Sequence, residues 1–61
     1  MSYIVTVMYG GQKWPLRGTT WAFSMDRATH HETREEAQAA LEKARQFMKP
    51  ATYRAALVEE V

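Results

Sequence analysis

TREEAQAALEKARQFM, Thr33 to Met48, is the stretch whose reading decides the fold. Thr33 followed three residues later by Glu36 is a capping box, in which the threonine hydroxyl accepts from the Glu36 N–H while the glutamate reaches back to the N–H of Thr33. Beyond the cap, Ala37, Ala40, Leu41, Ala44, Phe47 and Met48 recur at the three-and-four spacing that lines one face of a helix. Gln38, Glu42, Lys43, Arg45 and Gln46 fall largely outside that stripe. Pro50 disfavours the α region at Lys49, so the spacing predicts one helix over about 34–48, stopping near Met48. The rest of the chain must bury an alanine-rich stripe.

Working outward, Ser2–Met8 (SYIVTVM) is strand-like, because β-branched and aromatic side chains lose χ1 freedom in a helix and pack well on a pleated sheet. Its two faces, Tyr3-Val5-Val7 and Ile4-Thr6-Met8, both carry apolar groups, as a central strand requires. Gly10-Gly11 can take the positive φ values of a tight hairpin. In Gln12–Leu16 the missing donor of Pro15 restricts the segment to an edge strand or a loop. After a break at Arg17-Gly18, Thr19–Phe23 alternates as a strand. Ser24–Ala28 reads as one helical or 3₁₀ turn with Ser24 as N-cap and Met25 and Ala28 facing inward. Thr52–Val61 reads as a final strand. The expectation is a single α+β domain over 1–61, of ββαβ order, with a three-stranded antiparallel sheet in the order 2-1-3. The helix covers one face and leaves the other open.

At 61 residues the chain holds one small core, with a stability of roughly 3–5 kcal/mol if it stands alone. The absence of cysteine removes disulfides, thiolate metal sites and a thiol nucleophile, and inclines the reading toward a cytoplasmic location. The net charge of +1 comes from dispersed basic residues, with no nucleic-acid or membrane tail. No segment approaches membrane-spanning length, and MSYIVTV lacks the n-region and apolar run of a signal peptide.

Candidate chemistry is sparse. His30-His31-Glu32 is the one concentration of metal-ligand types, but adjacent histidines on an extended segment point to opposite sides and no third histidine or cysteine exists. The expectation is no metal, with His31 packed at the helix entrance and His30 solvated. Glu35-Glu36 answers the helix dipole, and Gly10-Gly11 lacks the spacing and the Lys-Ser/Thr pair of a phosphate loop. No nucleophile has an oriented base, so the expectation is a non-enzymatic protein without catalytic residues or cofactor.

The stretch ATHHETREEAQAAL, Ala28–Leu41, together with the early YIVTV and closing LVEEV strands, resembles a layout found in many very short uncharacterised proteins of phages, prophages and bacteria. This chain departs from that pattern at His31, where such proteins usually place an aromatic or aliphatic residue. The resemblance implies a ββαβ fold and a phage or mobile-element origin, and brings no catalytic residues with it.

Two binding readings follow. An open sheet face would expose an apolar patch that a monomer rarely leaves bare, which points to a protein partner or a second copy of the chain. Its interface residues would be Trp14, Trp21, Tyr3, Val5 and Tyr53. The alternative is a sheet-type DNA-binding module resembling the arm-binding domains of phage-type integrases, with Lys13, Trp14, Arg17 and Trp21 making phosphate and stacking contacts.

Overall fold

A computed structural model describes all of residues 1–61. The chain runs β1 (Tyr3–Tyr9), β2 (Gln12–Arg17), β3 (Thr20–Trp21), a 3₁₀ turn (Met25–Arg27), α1 (Arg34–Ala44), a second 3₁₀ turn (Arg45–Phe47), α2 (Pro50–Ala55) and β4 (Leu57–Glu60). One antiparallel sheet and one main helix make it a small α+β fold. The sheet has four strands in the order β3-β2-β1-β4, not three in the order 2-1-3.

The difference arises around Pro15. In a strand, a residue's N–H and C=O point to the same side, and the Pro15 carbonyl accepts from the Ala22 N–H at 2.8 Å. The missing donor of Pro15 therefore faces a position just past the two-residue β3 and costs no ladder bond with β1. β2 is thus an interior strand, paired with β1 through Thr6↔Pro15 to Tyr9↔Gln12 and with β3 through Leu16↔Trp21 and Arg17↔Thr20. Gly10 and Gly11 both hold positive φ, 62° and 76°, which is what a two-residue type I′ hairpin demands.

β1 and β2 part below Thr6, and a segment from outside the strands closes the opening. The Thr29 N–H donates to the Leu16 carbonyl at 3.1 Å, and His31 exchanges two backbone bonds with Tyr3 at 2.8 and 2.9 Å. The Thr29 hydroxyl also accepts from the Gly18 N–H.

The helix is capped by one half of the expected box: the Thr33 hydroxyl accepts from the Glu36 N–H at 3.1 Å, while the Glu36 carboxylate makes no bond back to the Thr33 N–H. Ala37, Leu41 and Ala44 form its buried face and meet Val5 and Leu16 of the sheet. At Arg45 the chain tightens to 3₁₀ geometry, where each residue turns about 120° instead of about 100°. Phe47 is carried out of the stripe by this change and is 65% exposed, while Met48 stays half-buried against the core.

The predicted final strand begins only at Leu57. Residues 50–55 form α2 instead, because Lys49 is extended and Pro50 occupies the first turn, where its fixed φ and absent N–H suit a helix start. Tyr53 and Ala56 then pack on the same core as α1, so both helices lie on one face of the sheet.

The opposite face is not an open apolar layer. Ile4, Thr6 and Pro15 are buried there, the 3₁₀ turn at Met25–Arg27 packs on β2, and Ala22 and Ala28 on either side of it are buried. Ser24 caps that turn as expected, but Met25 faces solvent. Across the same face the Glu59 carboxylate accepts from the Thr6 hydroxyl and from Lys13 Nζ at 3.1 Å, tying β4, β1 and β2 together. Both bonds stabilise the charged form and hold the Glu59 carboxyl below the usual carboxylate range.

A candidate docking groove

Directly opposed residues of an antiparallel pair share a face. The pairings Val7↔Trp14 and Leu16↔Trp21 therefore put both tryptophans on the helix-bearing side, Trp14 toward the hairpin and Trp21 on the edge strand beside Leu16, where it packs against the core. On that side α2 and the preceding turn form a wall facing the β1–β2 hairpin, and between them lies a groove of about 570 Å³. Val7, Trp14 and Trp21 form its floor, while Phe47, Met48, Ala51 and Ala55 supply the wall. Residues 51 and 55 are one helical turn apart, so α2 presents small side chains inward and leaves the space unfilled.

The floor is largely apolar. The Trp14 indole donates to the Tyr9 carbonyl at 3.1 Å, which spends its one polar group within its own hairpin. Phe23 packs edge-to-face on Trp14, ring centroids 5.2 Å apart. Tyr9, Phe23 and Phe47 are all highly exposed around the groove, an unusual concentration of aromatic surface for so small a chain. Lys49 is the one charged residue lining it.

The wall is braced from behind. The Tyr53 hydroxyl donates to the Glu42 carboxylate, joining α2 to α1, while Arg45 lies 4.6 Å over the Tyr53 ring and Gln38 also donates to Glu42. The Tyr53 bond holds the Glu42 carboxyl low and, reciprocally, pushes the Tyr53 phenol up.

The residues singled out from the sequence divide. Trp14 and Trp21 come together in the groove. Val5 is 1% exposed beneath α1 and offers a partner no surface. Tyr3 is half-buried at the other end of β1 with Arg34 over its ring, and Tyr53 belongs to the brace. The four residues of the DNA reading are split by the strand register. Lys13 and Arg17 lie on the face opposite the tryptophans, and Lys13 is already paired with Glu59.

Tyr9, Phe47, Met48, Ala51 and Ala55 were not signalled as site residues, since the groove exists only because α2 replaces the first half of the expected strand. The available signal was Pro50 itself, a helix starter as much as a stopper. His30 is exposed, with Nδ1 2.8 Å from the Ser2 hydroxyl, and His31 is half-buried in its backbone pairing with Tyr3. No three His, Asp or Glu side chains converge as metal ligands. No helix is long and apolar enough to cross a membrane. Comparison of the chain with protein-family models, with curated proteins and with solved structures finds no match.

Proposed function

We propose that this chain is a small non-enzymatic protein-binding module that acts by stoichiometric docking, its groove receiving an apolar anchor from a partner protein. The observation that carries this reading is the groove itself, about 570 Å³ of apolar space floored by Trp14 and Trp21 and bordered by exposed Tyr9 and Phe47. Aromatic and methionine side chains around a concave apolar centre are the composition that dominates binding hot spots. Apart from Lys49, the polar side-chain groups of the groove are the Tyr9 phenol, the Thr52 hydroxyl and the two indole N–H groups, which include no paired acid and base. A role as a phage-type accessory or host-modulating factor rests on the chain's size and on its resemblance to short phage and prophage proteins.

Photo-crosslinking tests the reading. A photoreactive phenylalanine analogue in place of Thr52, at the groove wall, is expected to trap a discrete protein in the native host, and the groove-plugging change Ala51→Arg abolishes that product. The same analogue in place of Glu35, on the exposed side of α1, yields none. Equal products from both positions, or a product unaffected by Ala51→Arg, would overturn the assignment. A product of twice the chain's mass would give the groove to a second copy instead.

A further inference from the structure

Resting on the groove as a protein-docking site, we infer that its occupant is an acidic amphipathic segment. A bulky apolar side chain seats against Trp14, Trp21 and Met48, and a neighbouring carboxylate pairs with Lys49. Charge selects this occupant. None of the seven acidic residues of the chain lines the groove. The turn and helix that form its wall, residues 45–55, carry Arg45, Lys49 and Arg54 and no acidic side chain, and of these Lys49 alone lines the groove. The acidic residues lie elsewhere: Glu32, Glu35 and Glu36 at the start of α1, Glu59 and Glu60 in β4, Asp26 in the first 3₁₀ turn, and Glu42 behind the wall, where Tyr53, Gln38 and Arg45 already engage it. The fold contains two ion pairs, Lys13–Glu59 and Arg45–Glu42, and Lys49 belongs to neither. It stands exposed at the entry to α2, on the rim of an apolar space, where a carboxylate could meet it without displacing an existing partner.

A basic partner would face this wall at a cost, and a neutral one would leave Lys49 unused. Concavity favours a side-chain anchor: Trp14 and Trp21 lie at the base of the groove, where only a side chain that enters it reaches them.

The test is selection of a displayed library of random dodecapeptides against the immobilised full-length chain. Trp14 and Trp21 are the only tryptophans, so their emission reports occupancy for a tryptophan-free peptide made from the enriched sequences. The expected result is enrichment of peptides combining an aromatic or large aliphatic residue with Asp or Glu within one helical turn. Their binding should shift the tryptophan emission and weaken about three- to tenfold on Lys49→Glu, the size of one exposed pair lost and replaced by repulsion. Lys49→Gln should give a smaller loss, and circular dichroism shows that both variants are folded. Enrichment of neutral or basic apolar peptides that shift the emission would overturn the acidic occupant while leaving the docking groove standing. No enrichment, or enriched peptides that leave the emission unchanged, would overturn the groove as well. Binding to phosphatidylglycerol vesicles in place of any peptide would assign the surface to anionic lipid and overturn the inference.

Discussion

Replacing Leu41 by alanine removes the one large side chain that α1 buries. Leu41 is 4% exposed and its buried neighbours on that face, Ala37 and Ala44, are fully enclosed already, so the helix has no second bulky residue to hold it on Val5 and Leu16. Full burial of a leucine contributes roughly 1.5–3 kcal/mol, and truncation to alanine costs about 2–5 kcal/mol once the cavity is included. A domain of this size has about 3–5 kcal/mol in total. The small end of the loss lowers the melting temperature by about 8–16 °C, taking about 4–8 °C per kcal/mol, and the large end leaves no cooperative transition. Thermal and urea unfolding followed by far-UV circular dichroism gives the answer. Leu41→Met, which keeps the volume, is expected to lose less than about 1.5 kcal/mol. A Leu41→Ala chain melting within about 4 °C of the parent would refute the claim that the sheet and helix are held together at this contact.

Glu59 predicts a pH signature, because a carboxyl held low in the fold contributes stability that is present above the unfolded value and lost as pH falls through the folded one. Wild type should exceed Glu59→Gln in urea resistance at neutral pH, and the gap should close as pH drops below about 4.3; a gap that persists in acid would contradict the Thr6–Glu59–Lys13 link. Gly10→Ala and Gly11→Ala should each cost about 1 kcal/mol in urea unfolding, a backbone cost because nothing lies near either added Cβ, whereas Gly10→Asn should be nearly neutral. Equal losses for Ala and Asn at position 10 would refute the positive-φ argument. Ultraviolet titration of the three tyrosines should show one phenol ionising at higher pH than the free amino acid, and Glu42→Gln should restore it. If that late phase survives in the Glu42 variant, the brace between α1 and α2 is not made by Tyr53.

The parts of the fold legible in the sequence are those decided locally. The Thr33 cap, the first three turns of α1, the Gly10-Gly11 hairpin and the Ser24-capped turn each depend on residues a few positions apart, and each forms where its chemistry points. Pro15 and Pro50 were misleading for one reason: a proline declares what its nitrogen cannot do, and its consequence depends on which way that nitrogen faces. At Pro15 it faces past the end of a short strand, and at Pro50 it faces out of the first turn of a helix. The burial of Ile4 and Thr6 was hidden because it depends on the excursion between β3 and α1, whose sequence has no periodic signal. Trp14 and Trp21 were legible as candidate site residues by type. Their meeting in a groove was not, since it needs the strand register and α2 together.

The wedge formed by Thr29 and His31 between β1 and β2 bears on how the molecule assembles. A hairpin closed at Gly10-Gly11 can zip only as far as Thr6, and the remaining edges of Tyr3 and Leu16 wait for a stretch that is itself the doorstep of α1. Sheet completion and helix docking thus become one event, with no stable stage at which the ribbon is whole and the cylinder still loose. Loss of this keystone then frees sheet and helix together, and deuterium should reach the amides of Tyr3 and His31 only when the entire structure lets go.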